Sequence, residues 1–297
     1  MNGKIQIDPA VLLGKSPWAD AFKIRARMKE GTEESFFVKV SVGHHGRESL
    51  RGEFEGTSAI YATVPDFSPI PIAWGPLQNA LDAHFYLCKF YEFAKGVPKP
   101  SSFCKTLAQL HMAKNSPNGK FGFHCTTYNG DLPQDNTWHE SWKVFFANGR
   151  EDPRGKSRSR PSYTPLTPAL ETDGRKVKPS LIHGDLWCGN VGVVKETGEA
   201  VVYDPAAFWG HNEYELGNWR PKRNGFGQEH FDEYHLHIPR SEPVEDYDER
   251  NSLYALRFNL HAAALFPDNG AFLTMVIEEI KRLITKFSTG LQDSKFQ

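Results

Sequence analysis

Residues 181–190 read Leu-Ile-His-Gly-Asp-Leu-Trp-Cys-Gly-Asn, and residues 201–205 read Val-Val-Tyr-Asp-Pro. In the first stretch a short apolar run, too short for a helix, delivers Asp185 into a glycine-bearing loop, and Asn190 follows five positions later. In the second, another apolar strand delivers Asp204, 14 residues beyond Asn190. Two carboxylates and one amide oxygen thus converge at the mouth of a cleft. These are hard oxygen donors, suited to Mg²⁺ rather than zinc or copper.

An aspartate followed by four residues and an asparagine is the spacing of a kinase catalytic loop. On that reading Asp185 accepts or orients the proton of an attacking hydroxyl. Asn190 and Asp204 hold Mg²⁺ on nucleotide phosphates. Alone, the spacing is weak; joined to a strand-borne aspartate it is specific, and two unrelated polar turns would not reproduce it. The same chemistry needs a lysine on an upstream strand and a glutamate on the next helix. Lys39 ends the run Phe36-Phe37-Val38, and Glu53 lies 14 residues later. Glu55 is the rival, pointing to another side of the helix. A covering loop is expected at residues 13–21, where Ser16 and backbone N–H groups would meet phosphates, although it holds only one glycine.

Working outward, residues 22–27 and 35–40 read as an antiparallel hairpin turning at Glu30-Gly31. A helix over 46–62 ends at Pro65, and two strands follow at 70–74 and 85–90. A helix over 101–114 is capped by Ser101 or Ser102, with Phe103, Leu107, Leu110 and His111 on one face. Another spans 137–148, with Thr137 and Glu140 as a capping box. Residues 149–179 are polar, proline-rich and basic without apolar periodicity, and read as a loop or disordered segment. Short strands at 180–183 and 200–204 flank the motif. Helices dominate 249–288, with Leu253, Leu256, Leu260 and Ala264 on one face and Met275, Ile277, Ile280, Leu283 and Ile284 in a second apolar run. Strands first and helices later predict a two-lobed α+β protein: an N-terminal lobe over 10–93 and a larger, mostly helical lobe over 94–290.

The 297 residues suffice for two lobes, and 35 basic against 36 acidic side chains leave a net charge of −1. Wholesale binding to nucleic acid or an anionic membrane is not expected. No run approaches the roughly 20 apolar residues of a membrane span. Residues 1–13 lack the pattern of a signal peptide, and four scattered cysteines form no C-x-x-C pair. A cytoplasmic protein with reduced thiols is the expectation.

The motif His183-Gly184-Asp185-Leu186-Trp187 with Gly189-Asn190 continues into a tail from Asp204 through Gly210-His211-Asn212-Glu213-Tyr214-Glu215-Leu216. Together they resemble the fructosamine/ketosamine 3-kinase family, which shares the fold of aminoglycoside phosphotransferases and choline kinases. The tryptophan after Asp185-Leu186 and the Gly-His-x-Glu-Tyr tail separate it from the wider aminoglycoside group. The resemblance covers most of 10–148 and 176–290, and residues 241–261 are similar to fungal-type members. It implies a protein kinase-like fold and ATP-dependent phosphorylation of the 3-hydroxyl of a ketosamine on a glycated protein or small amine. It makes Asp185 the base, Asn190 and Asp204 the Mg²⁺ ligands, and Lys39 with Glu53 the phosphate-positioning pair. Residues 89–93, including Lys89 and Tyr91, become a hinge meeting adenine. Trp187 would wall the sugar, and His211 would lie near the substrate or support the loop. His183 is read as a loop brace. The interval before His183 is shorter than the family's usual helical region. Two alternatives stay open: another small-molecule phosphotransferase of this fold, or a silent nucleotide-binding pseudokinase.

Overall fold

Alternating apolar residues and β-branched or aromatic content build the first half of the chain as a sheet, seen in a computed structural model that describes residues 5–113, 116–148 and 168–293. The strands are β1 (Gln6–Ile7), β2 (Val11–Lys15), β3 (Asp20–Arg27), β4 (Glu33–Val42), β5 (Pro71–Pro76) and β6 (Ala83–Lys89). They pair antiparallel in the order β1-β3-β4-β6-β5, with β1 and β2 end to end along the outer edge of β3. The expected hairpin is in register, with Phe22 opposite Val38 and Ala21 opposite Lys39. Between β4 and β5 runs helix α1 (Gly43–Thr63), which packs Leu50 against Tyr86 and Cys88 of the sheet.

A short strand β7 (Phe93–Ala94) leads into helix α2 (Pro100–Ala113). The small pair β8 (Tyr128–Asn129) and β9 (Leu132–Pro133) precedes helix α3 (Trp142–Asn148). Then come β10 (Ser180–Ile182), β11 (Val191–Val194), β12 (Ala200–Val202), β13 (Phe208–Gly210) and helices α4 (Asn212–Gly217), α5 (Gln228–His237), α6 (Tyr247–Leu265) and α7 (Gly270–Asp293). The two expected strands around the motif are present, but they do not pair with each other. β10 pairs with β13, whereas β12 pairs with β11, which also pairs with β7. β11 was not expected from sequence. Its pairing with β7 ties the motif to the segment that joins the two halves. An aromatic core holds the helical half, with Phe103, Trp142, Tyr214, Trp219 and Tyr254 all at most 1% exposed. Each such side chain contributes about 1.5–3 kcal/mol by leaving water.

Several element boundaries differ from expectation. α2 begins at Pro100, so Ser101 and Ser102 sit inside its first turn rather than at its cap. Proline's missing N–H costs nothing there. α3 is shorter than 137–148, and Thr137 and Glu140 do not cap it. The Thr137 N–H donates to Asp135, and Glu140 pairs with Lys120 at 3.2 Å. Ser141 is the cap, its hydroxyl accepting the Val144 N–H at 3.3 Å, and Glu171 completes it by accepting the N–H groups of Trp142 and Lys143 at 3.0 Å each and the Ser141 hydroxyl at 2.7 Å. Residues 149–167, most of the polar stretch, lie outside the described residues. The end of that stretch is structured, with a 3₁₀ turn over Pro168–Glu171 and Leu170 buried. On α7, Val276, Ile280 and Leu283 form the seam against Leu256, which turns Ile277 and Ile284 outward. On α6, Leu260 and Ala264 are exposed, and the last core side chain of the helix is Phe258.

Candidate active site

β4 and α1 converge because both pack on the same sheet, and they place Lys39 and Glu53 together. Lys39 Nζ donates to Glu53 Oε2 at 2.7 Å and to Asp204 Oδ1 at 2.7 Å. The rival Glu55 points elsewhere and pairs with His124 at 3.0 Å. Burial alone would lower Lys39, but Asp204 and Glu53 together raise it above the ordinary lysine value. Burial pushes Glu53 up to about 7, against the pull of Lys39. Burial also works against charge on Asp204, but Lys39 outweighs it and holds Asp204 below the usual carboxylate range. The Asp204 side chain is half open to the cleft, which leaves the lysine as the decisive partner.

Asp204 follows β12 with φ +60°, a left-handed conformation that costs a non-glycine residue on the order of 1 kcal/mol or more. The strained turn comes at the residue facing Lys39. Asp185 leaves β10 through a second special turn. Gly184 has φ +80°, and a Cβ there would lie 2.3 Å from the Ala206 carbonyl oxygen. Only glycine allows that approach.

Four asparagines gather at or near Asp185. Asn190 donates to the Asp185 backbone oxygen at 2.8 Å and to Oδ2 at 3.1 Å. Asn218 donates to Oδ1 at 3.3 Å and is itself held by Asn224 at 2.8 Å. Burial pushes the Asp185 carboxyl well above the usual range, Asp204 adds to that, and hydrogen bonds from Asn129 and Asn190 oppose it. Because the Asn190 amide N–H₂ faces Asp185, its carbonyl oxygen is left for another partner. Behind the loop, Glu215 accepts the N–H of His183 and that of Gly184, the latter at 3.0 Å. His183 is buried, with its Nε2–H donating to the Tyr203 carbonyl (3.0 Å) and its Nδ1 accepting the Asp185 N–H (3.3 Å). Burial holds its imidazole below the ordinary value.

This arrangement sets a carboxyl group beside an amide oxygen, a second carboxylate and a lysine ammonium. A family model for fructosamine kinases matches residues 20–286. The chain belongs to the fructosamine kinase family. Among its relatives, the chloroplastic protein-ribulosamine 3-kinase of Oryza sativa subsp. indica is 32% identical over 245 residues, spanning 78% of this chain and 68% of the relative. The ketosamine-3-kinase of Mus musculus is 34% identical over 251 residues, spanning 74% and 79%. The crystal structure of a candidate fructosamine-3-kinase from Haemophilus somnus 129PT superposes with a TM-score of 0.73 over 94% of this chain and 92% of that one, at 22% identity. That likeness establishes the kinase-like fold, and the family makes this chain a phosphotransferase.

The other expected residues of this fructosamine kinase family member are placed as follows. Ser16 sits at the β2–β3 turn, beside the strand pair that faces Lys39. Its hydroxyl is committed to that turn, accepting the Ala19 N–H at 3.0 Å. Lys89 ends β6, and its ammonium lies 5.7 Å from the Tyr91 ring centroid. Residues 89–93 thus join the sheet to β7, where Phe93 stacks on Tyr203 at 5.4 Å. Trp187 is 38% exposed, which rules out core packing for it. Its ring occupies the space a Cβ on Gly189 would need, 2.3 Å away. His211 does not join this group. It is 2% exposed at the far end of the β10–β13 pair from Asp185, with one ring nitrogen 2.9 Å from the Tyr254 hydroxyl and the other 2.9 Å from the Ser241 hydroxyl. Burial pushes it down to about 4. Neither expected role, nearness to the substrate or support of the loop, finds a contact here: the ring is bound among core hydroxyls instead. The sequence does not mark Glu215, Asn218, Asn224 and Asn129 as site residues by spacing. Only Glu215 carried a signal, in the Glu-Tyr-Glu tail.

Proposed function

We propose that the protein is an ATP-dependent ketosamine 3-kinase acting on fructosamines or ribulosamines of glycated proteins or small amines. The observation that carries this reading is the bridge from Lys39 to both Glu53 and Asp204, set beside Asp185 with its Asn190 and Asn218 contacts. The names of the rice and mouse relatives support the substrate class.

Asp185 takes the proton from the sugar 3-hydroxyl as that oxygen bonds to the γ-phosphorus of ATP. The bond from the γ-phosphorus to the bridging oxygen breaks, and ADP leaves. Lys39, oriented by Glu53, steadies phosphate oxygens, and the β2–β3 turn with Ser16 covers them. The backbone of 89–93, with Lys89 and Tyr91, meets adenine. The carbonyl oxygen of Asn190 and the carboxylate of Asp204 would hold Mg²⁺, which prefers such hard oxygen donors. When bound, Mg²⁺ supplies charge neutralisation on the phosphates. Positioning and fixed charge account for most of the catalysis.

Trp187 offers an apolar face to the sugar. In the product, enolisation toward carbon 1 makes the carbon 3 phosphate allylic. It then leaves as inorganic phosphate, and hydrolysis frees the amine. A silent pseudokinase would not need a base held by several amides. Among the described residues no helix is long and apolar enough to cross a membrane. We place the protein in the cytoplasm, where four free cysteines are at home. The test is ³¹P NMR of purified protein with Mg·ATP and a synthetic ribulosamine or fructosamine. A sugar 3-phosphate resonance supports the reading. Transfer only to aminoglycosides or choline would replace it.

A further inference from the structure

A cavity of about 420 Å³ opens at the Ser180 and His211 end of the β10–β13 pair, away from Asp185. None of Lys39, Asp185, Asn190 and Asp204 lines it. Its volume lies within the roughly 300–1,000 Å³ of small-molecule sites. The lining is of three kinds. Arg175, Lys176 and Lys178 bring three cations, against the single carboxylate of Glu242. Lys178 is fixed to α2 through the Met112 carbonyl at 3.3 Å, and Arg175 shares Asp173 at 3.1 Å. Ser180, Asn212 and Ser241 add polar atoms, while Met112, Leu170, Val177 and Ile238 add an apolar wall. The Glu242 carboxylate already accepts the Val244 N–H at 3.2 Å.

The cavity also touches the framework of the catalytic loop. His111, part of its lining, has one ring nitrogen 2.8 Å from the Tyr234 hydroxyl and the other 3.8 Å from Glu215 Oε2. That second nitrogen is fully buried and has no hydrogen-bond partner. Glu215 is the residue that accepts the His183 and Gly184 N–H groups immediately before Asp185. Ser180 begins the strand that carries the loop.

We propose that this cavity binds a small molecule carrying a dianionic phosphoryl group, and that its occupancy is transmitted through His111 and Glu215 to the catalytic loop. A phosphate monoester carries about −1.5 to −2 charges near neutral pH, which the Lys176 and Lys178 ammonium groups would meet while Arg175 stays shared with Asp173. Charge-assisted bonds to arginine and lysine hold such a group, and the apolar wall takes the rest of the molecule.

The probes are phenyl phosphate and inorganic phosphate, titrated by calorimetry into the full chain with Mg·AMP-PNP present, so that any nucleotide site is occupied. The comparison protein is Lys176→Glu/Lys178→Glu, whose two positions are exposed and precede β10 at its Ser180 end, the end opposite the one that leads to Asp185. The expected result is phenyl phosphate binding that weakens at least about tenfold in the double variant. Tighter binding of phenyl phosphate than of inorganic phosphate assigns the apolar wall to the ligand body; equal binding assigns the site to free phosphate. Absence of binding, or equal binding by both proteins, overturns the site. Phenyl phosphate should also change wild-type turnover at least about twofold and leave the double variant unmoved. Full binding with unchanged turnover overturns the link to the loop. Because binding is read by heat rather than by phosphoryl transfer, it stands or falls apart from the choice of acceptor.

Discussion

Lys39 Nζ lies 2.7 Å from Asp204 Oδ1, although 165 residues separate the two in the chain. The contact joins the central strand of the sheet to the turn after β12. With Glu53 as the second partner, one ammonium answers two carboxylates from two different elements. Lys39 therefore has both an electrostatic and an architectural part in the cleft.

Replacing it tests both parts. Lys39→Met keeps the length of the side chain and leaves Glu53 buried without its cation. Glu53 then takes a proton, which limits the penalty to on the order of 1–3 kcal/mol. Urea unfolding at pH 8 should show that loss, and the KM for ATP should rise by at least about tenfold. A variant with wild-type stability and nucleotide affinity would remove Lys39 from the site.

Gly184 tests the loop. An alanine there meets the Ala206 carbonyl oxygen and needs a positive φ, so Gly184→Ala should lose about 2 kcal/mol or more. Because the displaced residue is next to Asp185, kcat should fall about a hundredfold even where the protein remains folded. Folded, fully active Gly184→Ala would show that the loop has slack.

His211 sets a pH dependence of stability. Burial lowers it to about 4, so the folded chain keeps it neutral where the unfolded chain protonates it. A lowered folded pKa means that its stabilisation is complete above about 6.5 and is lost as pH falls toward about 4. The full effect is at most about 3 kcal/mol. Denaturation midpoints measured from pH 7 to pH 4 should fall, and His211→Gln should lessen that slope by about one proton. An unchanged slope would mean that His211 titrates normally.

The extent to which the site is legible in sequence follows the range of each contact. Asp185, Asn190 and Asp204 are readable because loop spacing is local and two apolar runs bracket it. Lys39 and Glu53 are readable because a strand and the next helix fix their separation. Glu171's share of the α3 cap is not, since its acceptor oxygens arrive from 29 residues away, and the Thr137–Glu140 pattern imitates a cap four residues ahead of Ser141, whose hydroxyl takes the Val144 N–H. Asn218 and Asn224 give no signal either, because nothing in their surroundings marks an amide that will meet Asp185 across 33 residues. His211 shares a motif with Glu213 and Glu215, and sequence could not tell the half of that tail which braces the core from the half which holds the loop. Arg250 shows the first role, with its guanidinium 3.0 Å from Glu213 in the interior.

The most direct measurement is the rate of ketosamine phosphorylation by Asp185→Asn beside the wild type, with Mg·ATP affinity measured on both. The substitution keeps the shape and removes the proton acceptor. Transfer should fall by about 10²–10⁴-fold while nucleotide affinity stays within a few-fold. Near wild-type transfer by Asp185→Asn would contradict the assignment of Asp185 as the base.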